Sequence, residues 1–216
     1  NWKFCTCFYN INSCNFVEQI QQQPMRMRFF QVDAFTNQPF KGNQAGVCLL
    51  EDMPEDEVLR SIAAENNLAE TAFLLPVENG YHLRWFSPLL EMTLCGHATL
   101  ASAHVLWESG LVPAQGDIRF HTLSGELTAS REAGWIALDF PARDNEPATL
   151  PASLEILFKD KAVNIAYSVD RYIVELNSAA AVAGFVPDRE ILKPYRCVIT
   201  ARGEEHTPYD FVSRYF

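Results

Sequence analysis

Residues 91–106 read EMTLCGHATLASAHVL, and the fold turns on the change of character inside them. Up to Cys95 the chain reads like the end of a strand. From Gly96 to about Ser109 it reads like a helix whose apolar residues, Ala98, Leu100, Ala101, Ala103, Val105, Leu106 and Trp107, fall all the way round the circumference. A helix apolar on every side is buried on most of them, so something must surround it. The flanking sequence supplies short β-type segments: RFFQVDAF (28–35), AGVCLL (45–50), TAFLLP (71–76), YHLRWF (81–86), DIRFHT (117–122), GELTAS (125–130) and GWIALDF (134–140). Turn signals at Asn79-Gly80, Ser124-Gly125 and Ala133-Gly134 separate several of them. A buried Ala-rich helix among many short strands predicts an α+β arrangement, a sheet curled around a central helix.

A second helix is predicted at PEDEVLRSIAAEN (54–66), with Pro54 at the first position, Glu55, Asp56 and Glu57 against the positive end of the dipole, and Val58, Ile62, Leu59 and Ala63 as a buried stripe. The second half of the chain repeats this grammar loosely, with RYIVEL (171–176), SAAAVAGF (178–185), a short helix opening at Pro187, then YRCVITA (195–201) and YDFVSRYF (209–216). PARDNEPATLPAS (141–153), with three prolines, is the expected linker. The domains expected are 25–142 and 150–216. Residues 1–24 lack the basic start, apolar run and cleavage site of a signal peptide and are expected to be a leader without a fold.

At 48% hydrophobic residues the 216-residue chain can bury a sizeable core. Its net charge of −10 repels phosphate backbones and anionic membrane surfaces, and no stretch approaches the roughly 20 apolar residues that span a bilayer, so neither nucleic acid nor membrane is an expected partner. The cysteines, Cys5, Cys7, Cys14, Cys48, Cys95 and Cys197, form no CxxC pair and have no His at zinc-ligand spacing, which predicts a reduced cytoplasmic protein without structural metal. GxSxG, the Walker loop and GxGxxG are missing, which argues against hydrolase, nucleotide and dinucleotide roles.

Cys95-Gly96-His97 sits where the strand meets the helix. A helix start presents unpaired N–H groups and positive potential, and this suits a carboxylate or oxyanion. Gly96 permits close approach to the backbone. The same field is expected to lower the pKa of Cys95 and to disfavour a charged His97. The residues also allow a plainer reading, with Cys95 as a small core residue and His97 making a structural hydrogen bond. Glu70, in NNLAETAFLLP (66–76), interrupts an apolar stretch. Buried there, its carboxyl would be raised toward the range of a general acid/base; as a last-turn helix residue it would face solvent. Gly42-Asn43 is a turn before a strand, with Asn43 able to offer a donor and an acceptor to a ligand. Arg84 and Ser87 are candidates to line a pocket, and His82, His104, His121 and His206 carry no supporting pattern.

Taken together, FFQVDAFTNQPFKGNQAGV, LAETAFLLP, LRWFSPLLEMTLCGHATLASAHVL and YDFVSRYF resemble the PhzF-like (phenazine biosynthesis-like) isomerase family, in order, from about Met25 to Phe216. The resemblance implies the diaminopimelate-epimerase fold, with two similar domains, each a sheet wrapped around a central helix, and the active site in the cleft between them. It implies no metal or organic cofactor, a homodimer, and proton transfer on a small carboxylate-bearing substrate by one glutamate. That glutamate matches Glu70. Gly96 and His97 match the substrate-binding backbone and the catalytic or orienting imidazole, and Asn43 falls in the family's Gly-Asn motif. Cys95 matches the position of a catalytic cysteine in the epimerases proper. By that same resemblance, YDFVSRYF is expected to be followed by a Gly-Ser-Ala motif, so the second domain is expected to be incomplete at its C-terminal side. Two alternatives stand beside the glutamate-dependent isomerase: an epimerase or racemase with Cys95 as base, and a non-catalytic protein-binding member.

Overall fold

The computed structural model describes residues 27–207 and 209–216, so the expectations for residues 1–24, including Cys5, Cys7 and Cys14, lie outside the described residues. The chain divides into two compact units, one ending at Pro141 and the other running Ala142–Phe216.

In the first unit, β1 (Arg28–Ala34) and β2 (Asn43–Leu49) form a hairpin, α1 (Asp56–Asn66) leads into β3 (Glu70–Val77), and β4 (Gly80–Phe86) and the short β5 (Glu91–Met92) precede α2 (Gly96–Glu108). After α2 come β6 (Ile118–Thr122), β7 (Gly125–Glu132) and β8 (Trp135–Asp139). The strands form one sheet in the order β1-β2-β3-β4-β6-β7-β8, with β5 attached to β4. The β2–β3 and β4–β6 pairs are parallel, each bridged by one of the two helices; the rest are antiparallel.

The sheet curls around α2. Phe30, Ala45, Val47, Ala72, Leu74, Leu83, Trp85, Phe120, Leu127 and Ala129 pack in one cluster with Ala98, Ala101, Ala103, Val105 and Leu106. The helix survives being enclosed because its polar residues are satisfied within it: Thr99 Oγ1 donates to Cys95 O at 2.6 Å and Ser102 Oγ to Ala98 O at 2.7 Å. On the outer face of the sheet, Leu59 and Ala63 of α1 bury against Cys48, Phe73 and Phe86. α1 starts two residues later than expected: Glu55 is its N-cap and Pro54 precedes the helix. Its buried stripe is Leu59 and Ala63; Val58, expected to share it, is exposed.

The second unit holds β9 (Glu146–Pro147), α3 (Ala152–Glu155), β10 (Ala162–Ser168), β11 (Arg171–Leu176), α4 (Ala179–Ala183), α5 (Arg189–Leu192), β12 (Cys197–Arg202) and β13 (Phe211–Tyr215). Its sheet order is β13-β12-β11-β10-β9, with β11–β12 parallel. Val182 and Phe185 pack with Val174, Leu176, Cys197 and Ile199 to form its core. Residues 142–153 do more than link. Glu146 and Pro147 pair with β10, Leu150 joins the core, and Pro151 is the N-cap residue of α3, a position its fixed φ suits. β10 has no counterpart in the strand segments read from the sequence, because a register shift between Ala162 and Asn164 breaks its alternation and only Ala162 and Ile165 pack on the core. Among the described residues no helix is long and apolar enough to cross a membrane.

Candidate active site

The site assembles at one end of the first unit, where β3 begins and α2 begins. α1 ends at Asn66, and Asn67 takes the left-handed conformation (φ 48°) while its N–H bonds Ala63 O at 3.1 Å. Asn tolerates this conformation better than most side chains, so the helix stops there. Glu70 is therefore the first residue of a strand, not the last turn of a helix. Strand alternation then decides its face. Phe73 packs outward with α1, whereas Ala72 and Leu74 face inward to α2, and Glu70 shares their side.

The register Ala45↔Glu70 sets the carboxylate beside β2 and level with the start of α2. There, Glu70 Oε2 lies 3.1 Å from His97 Nε2, and Cys95 Sγ lies 3.5 Å from His97 Nδ1. The His97 and Glu70 side chains are only 10% and 18% exposed, enough shelter from water for charge to act strongly. The approach of Glu70 to Nε2 is ion-pair contact outside straight hydrogen-bond geometry, so Nε2, closed to solvent, retains unspent hydrogen-bonding capacity.

Burial pulls the His97 imidazole down, but its interactions with Cys95 and with Glu70 outweigh this and push its pKa from the ordinary 6.5 up to about 10. This corrects the expectation that the helix start keeps His97 neutral. One partner on each ring nitrogen overrides the dipole, because the Glu70 carboxylate in contact carries a full charge whereas a helix start carries about half of one.

The helix start is open. Cys95 is the N-cap in extended conformation (φ −144°), and its side chain caps none of the first-turn N–H groups. A Cβ added to Gly96 would meet nothing nearer than the Phe140 ring at 4.0 Å, and Gly96 has no positive φ. Packing does not demand a glycine here, and its effect is to leave the backbone of Gly96 and His97 approachable. Phe140 escaped the sequence reading of the site. The one hint is its position, closing a strand pattern just before Pro141.

Gly42 and Asn43 separate in role. A Cβ on Gly42 would fall 2.3 Å from Ala34 O, so the hairpin itself requires glycine. Asn43 is exposed, opens β2, and lies on the same sheet face as Ala45 and hence Glu70. Arg84 and Ser87 are not pocket residues. Arg84 pairs with both Glu91 oxygens at 2.7 Å and with Asp56 at 2.9 Å, and Ser87 holds its own turn through Leu89 and Leu90. A cavity of about 350 Å³ lies at the far end of the strands, lined by Leu49, Leu74, Tyr81 and Leu111 among others, and none of the clustered groups reaches it. Among the described residues, the one set of metal-type donors is Glu70, Cys95 and His97, with one ligand atom of each within 4.8 Å of the others.

The family profile described as phenazine biosynthesis-like protein (PhzC-PhzF) matches residues 32–216. An uncharacterized isomerase of Halalkalibacterium halodurans is 42% identical over 195 residues, covering 89% of this chain and 74% of that one. A crystal structure of a PhzF-family phenazine biosynthesis protein from Enterococcus faecalis aligns with a TM-score of 0.77 at 36% identity, over 88% of this chain and 73% of that one. A structure from Agrobacterium radiobacter described as a probable proline racemase aligns with a TM-score of 0.58 at 10% identity, over 88% of this chain and 70% of that one; the likeness there is of fold alone.

Proposed function

The chain belongs to the phenazine biosynthesis-like (PhzC-PhzF) family, with an α+β epimerase-like fold, and on that premise we propose that it is an isomerase moving a proton on a small carboxylate-bearing substrate. The backbone N–H groups of Gly96 and His97 hold the substrate carboxylate at the positive end of α2, and Asn43 adds a donor or acceptor from β2. Glu70 removes a proton from the carbon beside the electron-withdrawing group. His97, charged at neutral pH by its two neighbours, stabilises the electron-rich intermediate and steadies the Glu70 carboxylate. Glu70 then returns the proton at its new position, so the cycle ends with both side chains in their starting states. The name of the Halalkalibacterium halodurans relative favours this reaction class. The observation that carries the reading is the 3.1 Å contact between Glu70 and His97 at an uncapped helix start.

The test is deuterium incorporation from D2O into a panel of small carboxylates, cyclic dienes and α-substituted acids included. Glu70→Gln keeps the shape, removes the proton shuttle, and is expected to slow exchange by about 10²–10⁴ in a chain that stays folded, with a urea midpoint lowered by loss of the His97 contact. Full exchange in that variant rules the role out.

A second reading makes Cys95 the base of an epimerase, favoured by its Sγ lying 3.5 Å from His97 Nδ1. It expects exchange to stop when iodoacetamide labels Cys95, with substrate protecting the thiol. Exchange that continues after complete labelling disposes of it.

A further inference from the structure

We propose that Glu70, Cys95 and His97 form an inhibitory binding site for a soft divalent transition cation of the Zn²⁺ type. The inference uses the same three side chains but does not depend on their moving a proton.

Thiolate, imidazole and carboxylate are the donor types that zinc selects over magnesium or calcium. Tetrahedral zinc, with bonds of roughly 2.0–2.3 Å, sets its donors about 3–4 Å apart. Cys95 Sγ lies 3.5 Å from His97 Nδ1 and Glu70 Oε2 lies 3.1 Å from His97 Nε2, so thiol and carboxylate flank different nitrogens of one ring, of which a single ion uses one. One ligand atom of each residue lies within 4.8 Å of the others, so closing on an ion needs the donors to draw together by about 1 Å and the ring to turn one nitrogen toward both partners. The donors stand on rigid supports, Cys95 and His97 on the first turn of α2 and Glu70 on β3. The covered Nε2 has no hydrogen-bond partner and offers its lone pair to an ion once the imidazolium has lost its proton. An ion bound here displaces one proton from the His97 imidazolium and the thiol proton of Cys95, both of which leave to solvent, and no group changes oxidation state. It leaves one tetrahedral position open to water and ties up Glu70, so it excludes the substrate.

The other described cysteines do not compete. Cys48 and Cys197 are fully buried, and burial pushes their thiols up to about 12 and about 11. Cys5, Cys7 and Cys14 are removed from the test by substitution with Ser. In that background the chain is titrated with Co²⁺ as an optical probe, without substrate. The expected result is one Co²⁺ per chain with thiolate-to-cobalt charge-transfer absorbance, displaced by Zn²⁺. Cys95→Ala is expected to remove the band and weaken binding on the order of 100-fold or more, and Glu70→Gln to weaken it about 10–100-fold with the band retained. The proposal is overturned if the wild-type site gives no band or if the band survives in Cys95→Ala with unchanged affinity. A cobalt site without any deuterium exchange supports the metal site alone. Exchange lost in Glu70→Gln without a cobalt site supports proton transfer alone and removes this proposal.

Discussion

α2 in the first unit and α4 and α5 in the second meet the problem of a helix start in opposite ways. In the second unit α4 and α5 are capped by their own side chains. Ser178 Oγ accepts from Ala181 N at 3.1 Å, and Asp188 Oδ1 accepts from Glu190 N at 3.0 Å and Ile191 N at 3.2 Å. In the first unit α2 begins at Cys95 with no side-chain cap. The difference follows from what holds each helix. α4 and α5 are one turn or little more and bury Val182 and Leu192 respectively, and a side-chain cap satisfies their first-turn donors. α2 buries eight residues against strands on all sides, so packing holds it and its first-turn donors stay open to a ligand. Chemistry can be placed where stability is supplied from elsewhere.

The largest stability effect that could break this comparison is at the core of α2. Leu106→Ala, at a side chain with no exposure, is expected to cost about 2–5 kcal/mol. Every described tryptophan, Trp85, Trp107 and Trp135, lies in the first unit, so fluorescence-detected urea unfolding reads that loss. A cost below about 1 kcal/mol would mean that packing is not what holds α2.

Next comes the alkaline response of His97. Its folded pKa is raised to about 10 from 6.5. The stabilisation is therefore fully present below about 6.5 and is lost as pH rises through about 10. The urea midpoint of the wild type should fall more between pH 6 and pH 10.5 than that of His97→Gln. Equal falls would show that Glu70 and Cys95 do not stabilise the imidazolium.

A smaller effect is expected at the capped start. Asp188→Ala should cost about 1 kcal/mol, read in the second unit by tyrosine near-ultraviolet circular dichroism on urea unfolding. The smallest, and opposite in sign, is Gly96→Ala. With 4.0 Å of clearance, the added methyl should raise the melting temperature, gaining at most about 1 kcal/mol, while weakening carboxylate binding at the helix start. A variant that melts higher and binds acetate or benzoate as before, measured by amide shifts on titration, would separate Gly96 from ligand binding.

Legibility varied along the chain in a way local physics explains. β1, β2, β3 and β4 were readable from their β-type composition, and β2 and β3 each bury four residues in a row because α2 covers one face of the sheet and α1 the other. β9 and β5 have two residues each and exist only because a neighbouring strand pairs with them. The proline-rich segment read as a linker joins the second core for the same reason. Within the site, Cys95, Gly96 and His97 lie together in sequence and were visible as a cluster. Glu70 could be read as a helix end in solvent until Asn67 turned the chain and strand alternation aimed the carboxylate inward. Arg84 looked available from its position at a strand end, yet Glu91 and Asp56 consume it.

By itself the sequence determined that the stretch from Gly96 is a helix buried on most sides, because its apolar residues run all the way round, and the β-type segments on either side pointed to strands as its cover. Only the tertiary structure decided that Glu70 meets His97, and with it that the imidazole is charged rather than neutral. Hydrophobic period is a property of consecutive residues. A contact between the end of one element and the start of another depends on sheet register and on how the helix is seated, and its electrostatics depend on distances that no local pattern encodes.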